Sequence, residues 1–306
     1  MKKILSTALL LAAVLTASAQ EKQKYYVPQK GDWSVGITYN PATMVRDIRM
    51  QPKPGEFAGA WIEELAASPK QMFILSQDPI AAVRAKYFIS SKAAVRATLG
   101  FNGSLINYKE YVRDDLAAAA DPDTENKVVD NLRSNLNSLS LQLGYEGRLG
   151  EGCVRFVYGF DLMYSIAGGT MTFQYGNELT DLNHVPSTMP MTSEMKAGSV
   201  NDFQSKLGID YGRPLKRYNS GYIHGIGLSV DIGIEVFLAE RVSVGLAMNL
   251  TPIMFSFQPQ TYTIYEGFSS LSGKVEQYNG LVSPGSNALL YGTENLGCRL
   301  TLNYYF

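Results

Sequence analysis

Polar and apolar residues alternate with a period of two over eight stretches of the chain. That spacing places successive side chains on opposite faces of a strand. Over 33–39 the odd positions are Trp33, Val35, Ile37 and Tyr39, and the even ones are Ser34, Gly36 and Thr38. Over 223–236 the even positions run Ile226, Leu228, Val230, Ile232, Ile234 and Val236, with Gly225, Gly227, Ser229, Asp231, Gly233 and Glu235 between them. Over 241–251 Val242, Val244, Leu246, Met248 and Leu250 alternate with Arg241, Ser243, Gly245, Ala247, Asn249 and Thr251. The same period holds over 80–89, 93–105, 136–148, 153–166 and 296–306. Several stretches exceed ten residues, whereas the strands of globular proteins average about 5–6. Strands of this length cross a bilayer at a tilt.

The connections alternate as well. Tight turns are expected at 90–92, 149–152 and 238–240, and long polar connections at 41–79, 106–135, 167–221 and 258–295. Short and long loops in strict rotation suit a barrel whose two rims face different compartments. An even strand count puts both termini on the short-turn side. The expected fold is all-β: a transmembrane antiparallel up-and-down β-barrel of eight strands. A ten-stranded barrel is the alternative, with 171–175 prolonging the fifth strand past a bulge at Gly168-Gly169 and 203–211 returning beside it. Segments 261–265 and 288–291 are read as strands that similarly extend a hairpin above the membrane.

The first residues read as an export signal. Lys2 and Lys3 precede an apolar run over 4–16, and Ala17-Ser18-Ala19 fits a small-residue cleavage site, so the domain is expected over 20–306 after a signal peptide at 1–19. The apolar run is too short to span a bilayer of ~30 Å as a helix. Composition narrows the rest. Lys plus Arg is 27 against 28 for Asp plus Glu, so no basic surface invites nucleic acid. Two cysteines and two histidines leave no disulfide framework or cysteine-rich zinc site, and no cofactor or metal is expected. Cys153 and Cys298 fall far apart in the expected barrel and are both expected to be free.

The final residues read Leu-Gly-Cys-Arg-Leu-Thr-Leu-Asn-Tyr-Tyr-Phe, with apolar side chains at alternate positions up to Phe306. Leu300, Leu302, Tyr304 and Phe306 resemble the C-terminal assembly signal of Gram-negative outer-membrane barrels. With the signal segment, the eight alternating stretches and the loop rotation, the chain resembles the small eight-stranded outer-membrane proteins of the A and X type, in the porin family. The resemblance implies an integral outer-membrane location reached through the periplasm. It also implies contact with outer-membrane lipid and lipopolysaccharide, and handling by the barrel-assembly machinery.

The two faces of the expected barrel differ. Tyr39, Tyr87, Tyr145, Tyr164 and Tyr304 face outward near strand ends, as interfacial aromatic girdles do. Inward fall Arg84, Lys86, Arg96, Glu146, Arg148, Arg155, Asp161, Asp231, Glu235, Arg241 and Arg299. Eight strands leave an interior just wide enough for side chains to fill. Isolated buried charge is costly, so these groups are expected to pair into a plug.

More than half of the mature chain lies in the four long connections, the usual seat of recognition. Phe57, Trp61, Ile62 and Leu65 fall at helical spacing and predict a short amphipathic helix over 56–67. Asp121-Pro122-Asp123-Thr124-Glu125 is acidic at alternate positions but lacks the glycine and distal glutamate of a calcium loop. His184 lies near Asp181 and Ser187, while His224 has no serine two residues on, as a deacylase-like site would want. The leading expectation is a non-enzymatic barrel with a plugged polar lumen and large loops for structural, interaction or assembly roles with an envelope or surface partner. A narrow channel for small solutes and a lipid- or peptide-modifying enzyme are the alternatives.

Overall fold

The computed structural model describes residues 26–40, 81–150, 152–189, 208–293 and 296–306. The expected signal peptide lies outside them, as does the expected loop helix with Phe57, Trp61, Ile62 and Leu65. The described residues form strands β1 (Trp33–Tyr39), β2 (Ala81–Ser90) and β3 (Ala93–Arg113), helix α1 (Asp115–Ala120), then β4 (Lys127–Leu149) and β5 (Val154–Gln174). There follow β6 (Ile209–Asn219), β7 (Ile223–Ala239), β8 (Val242–Gln258) and β9 (Thr261–Ser269), and then β10 (Lys274–Ser283), β11 (Ser286–Tyr291) and β12 (Leu296–Tyr305).

Antiparallel pairing runs β1–β2–β3–β4–β5–β7–β8–β12 and returns to β1. The closing pair joins first and last strands, with Ser34 opposite Tyr305 and Tyr39 opposite Leu300. The fold is an antiparallel up-and-down β-barrel, and closure leaves its ring without an open edge. Eight strands make that ring. The other four prolong its staves on the long-loop side. β6 runs beside β5 at Thr170↔Tyr218 and leads through 220–222 into β7, which takes over at Ala167↔Ile223. β8 continues past Pro259 as β9, which pairs with β6. β10 pairs with β9, β11 pairs with β8, and the same descending stave ends as β12.

That arrangement excludes the ten-stranded alternative, because β6 and β7 are consecutive parts of one descending stave. Segments 261–265 and 288–291 do prolong strands on the long-loop side, within β9 and β11, but they pair with different strands and not with each other. Much of the expected loop sequence is strand. The β3–β4 ladder continues unbroken to Arg113↔Lys127, so only 114–126 remain as connection in the stretch read as 106–135. There both faces carry polar residues such as Asn107, Glu110, Asn131 and Ser134, and a two-sided polar strand shows no alternation to read.

Around the ring the outward positions are apolar and exposed: Ile37, Val83, Val95, Leu143, Phe160, Ile232, Met248 and Leu302 among them. On β5 this belt runs from Val154 to Ile166. At ~3.4 Å per residue and a tilt of ~40° it is roughly 30 Å tall, enough for a hydrocarbon core. The tight turns at the opposite end need special backbone at one point. Gly150, before β5, has φ +96°, a left-handed conformation that a side chain would strain.

Candidate functional site

Inside the ring eight buried charges form two balanced sets, with Arg84 and Arg155 outside them. In the first, Glu146 accepts from Lys86 Nζ at 2.8 Å and Arg148 Nη2 at 2.9 Å. Glu235 lies 3.0 Å from Arg148 and 4.0 Å from Lys86. Glu235 also accepts from Ser243 Oγ, Asn303 Nδ2 and the Tyr305 hydroxyl. In the second set Arg96 makes a two-pronged pair with Asp161, Nε at 2.8 Å and Nη2 at 2.7 Å, and reaches Asp231 at 2.6 Å. Arg299 lies 3.8 Å from Asp231 and 4.0 Å from Asp161, and donates to Gln142. Arg96 Nη1 also bridges the two sets, 3.3 Å from Glu146. Every one of these charged side chains is at most 5% exposed. β2, β3, β4, β5, β7 and β12 all contribute, so the network crosses the lumen.

Inward glycines make room for it. A Cβ on Gly159 would stand 2.8 Å from both terminal nitrogens of Arg96, and one on Gly144 would collide with the Asp161 carboxylate. These positions let long side chains lie flat against the opposite wall.

Beneath the network, at the tight-turn end, is an apolar floor of Phe88, Ala94, Phe237 and Tyr305, each at most 1% exposed. Arg148 lies over the rings of Phe88 and Tyr305, and Arg155 lies 4.3 Å over Phe237. The chain before β1 closes over this floor. Tyr26 N–H donates to Glu240 O at 3.1 Å, and Arg155 donates to Tyr26 O. The Tyr26 hydroxyl reaches Asp32 at 2.5 Å and Phe306 O at 2.8 Å. Burial and the Asp32 carboxylate together push the Tyr26 phenol up to about 12. The reading of the sequence missed this floor. Its signal was present: 88, 237 and 305 lie in the same inward phase as Lys86, Glu235 and Asn303.

At the other end the prolonged strands carry an ordered lobe. Val112, Leu132, Met171, Phe173 and Met189 form its core. Asp130 accepts from the backbone N–H groups of Gly176 and Met189, both at 2.9 Å. Asn177 donates to Arg113 O and Ser187 O and accepts from Asp115 N–H. Arg213 pairs with Glu266 at 2.6 Å, donates to Asn177 O and covers the Tyr175 ring. This lobe too was hidden in the sequence, because its residues come from three separated long connections, 106–135, 167–221 and 258–295.

Other expected residues are placed differently. Arg241 does not enter the lumen. It is exposed at the β7–β8 turn with its guanidinium over the Tyr26 ring, because the strand begins at Val242. His224 faces outward against Tyr164, whose hydroxyl is 2.8 Å from Nδ1. His184 stacks on Phe268 and meets the backbone carbonyl of Asp181, not its carboxylate. The acidic run 121–125 forms a turn in which Asp121 accepts from Asp123 N–H. No group of three metal-ligating side chains occurs among the described residues. Cys153 and Cys298 are both free. Leu300, Leu302, Tyr304 and Phe306 all point outward on the last stave.

No protein-family profile matches the chain, and no curated protein matches it. Among solved structures it is similar to the outer membrane protein OprG from Pseudomonas aeruginosa, at 11% identity over 94% of this chain and 99% of that one, with a TM-score of 0.31. A major outer membrane protein from Thermus thermophilus aligns at 13% identity over 91% and 100%, with a TM-score of 0.36. The outer membrane protein AlkL, solved in DMPC bilayers, aligns at 11% over 94% and 95%, with a TM-score of 0.28. The closed strand ring by itself carries the fold.

Proposed function

We propose that the chain is an integral outer-membrane barrel with a closed lumen, acting without catalysis through the lobe it displays outside the cell. The apolar belt of roughly 30 Å supports the membrane placement. One observation carries the closure: the lumen is crossed by Lys86, Arg96, Glu146, Arg148 and Glu235, all paired, above a floor of Phe88, Phe237 and Tyr305. An ion passing this level must break buried pairs, which costs far more than displacing water. On this reading the barrel is a rigid stand. The lobe built on β3, β4, β5, β6 and β9 presents a fixed surface to an envelope or surface partner. Leu300, Leu302, Tyr304 and Phe306 serve recognition by the assembly machinery and contact with lipid.

The deciding experiment is conductance of the refolded protein in a planar bilayer. Steady silence across both polarities is expected. Stable single-channel steps from the wild-type chain would overturn closure and favour a narrow solute channel.

A further inference from the structure

The paired lumen charges balance within each set. Lys86 and Arg148 face Glu146 and Glu235, while Arg96 and Arg299 face Asp161 and Asp231. Arg155 stands apart at the tight-turn end, against Tyr26 O and the Phe237 ring. Arg84 lies inside the ring at 3% exposure. It stands one inward step beyond Lys86 on β2, opposite Gly36 on one side and Thr98 on the other. Its Nε donates to Thr98 Oγ1 at 2.9 Å, and its buried Nη2 has no hydrogen-bond partner. No carboxylate pairs with it among the described residues. The charges that act on it are those of Arg299, Arg96, Asp231 and Asp161, and the two carboxylates are already shared between Arg96 and Arg299.

A guanidinium cannot shed its proton to escape burial. A buried charge without a counter-charge is among the costliest groups a protein can hold. We propose that Arg84, with its neighbour Thr98, binds a small inorganic anion of halide size inside the barrel. The fork of N–H groups at Arg84 supplies the donors, and the Thr98 hydroxyl stands beside it. Arg299 adds a second positive field without giving up its carboxylates. The anion neutralises the surplus interior charge and ties β2 and β3 to the far wall. The site does not depend on closure of the lumen, since a conducting barrel would carry it equally.

The test uses the refolded full-length chain in detergent, unfolded by heat in sodium chloride and in sodium gluconate at matched ionic strength. Chloride, and bromide likewise, should raise the unfolding midpoint saturably above that in gluconate, as a ligand of the folded state does. Arg84→Met should fold, because it removes an uncompensated buried charge, and should lose the halide-specific rise. Arg84→Lys should keep part of it. Bromide-soaked crystals should show an anomalous peak within hydrogen-bonding distance of Arg84 Nη2. An equal halide response in Arg84→Met, no halide response in the wild type, or a water alone at Nη2 would each overturn the site. Conductance, measured separately, tells failure of this site from failure of the closed-lumen reading.

Discussion

Glu146 holds three cations at once: Lys86, Arg148 and Arg96. Removing a shared carboxylate strands its partners in a space that water barely reaches. Glu146→Ala is expected to cost about 3–5 kcal/mol, the range for breaking one side of a buried ion pair. Urea unfolding followed by tryptophan fluorescence measures it, and a loss under about 1 kcal/mol, the level of a solvated pair, would mean that the lumen is wet. Gly159 acts through space it leaves empty. Gly159→Val would place its Cβ 2.5 Å from Tyr145 O and 2.8 Å from Arg96, so the Arg96–Asp161 fork must move. Slow, incomplete refolding on heat-modifiability gels is the expected outcome. Tyr26 responds to base. Its folded phenol, at about 12, lies above the ordinary value of 10, so its hold on Asp32 and Phe306 is fully present below pH 10. That hold fades as pH rises from 10 to 12, and nitration or proteolysis at the N-terminal segment should accelerate over that interval. At this scale alternation fixes the phase of each strand and so tells which strand charges face inward; Arg241 escapes the rule because it precedes β8. Partner choice was not legible, since Arg96 meets carboxylates on three other strands.

At the level of elements, legibility followed contrast between the two faces. Where one face meets the apolar belt, as in β7 and β8, a period of two is plain over most of the strand. Above the belt β3 and β4 keep their ladders while polar residues enter both faces, and β5 moves its apolar residues Met171 and Phe173 to the inward phase, so the pattern fades or inverts although the strand does not. Breaks in the staves were partly visible. Pro259 lacks the N–H a ladder needs, and Gly285 takes φ +85°, which only glycine adopts freely. Helix α1 shows what the lobe depends on. Its cap, Asp114, accepts from Ala117 N–H at 3.0 Å, and Asp115 accepts from Asn183 and from Ser187 N–H at 2.9 and 2.7 Å. Burial opposes ionisation of Asp115, but those hydrogen bonds outweigh it and hold its carboxyl below the usual range. A lowered folded value means the contribution is present above the unfolded pKa of ~3.9 and is lost as pH falls through the folded one. The clasp between α1 and 183–187 should therefore release only in acid below about pH 4. Hydrogen exchange of Asn183 and Ser187 amides reads this, and Asp115→Asn should weaken protection there already at neutral pH.

Across the whole molecule the closed ring and the plug support each other, because the floor is assembled from distant parts of the chain. Phe88 arrives on β2, Phe237 on β7 and Tyr305 on β12, and the strap through Tyr26 ties Glu240 to Phe306. No one of these segments closes the mouth unaided. Tyr26→Ala should leave the lumen silent in a planar bilayer, since Phe88, Phe237 and Tyr305 still cover it. Arg148→Ala with Tyr305→Ala removes more. It takes away the cation lying over Phe88, the hydroxyl that donates to Glu235, and the ring that packs against both phenylalanines. Glu146 and Glu235 then face Lys86 and Arg96 around an unfilled space wide enough for water. Measurable conductance is expected in this double variant but in neither Tyr26→Ala nor the wild type. Silence in a double variant that still folds and inserts would place the barrier higher, at the Arg96–Asp161–Asp231 layer.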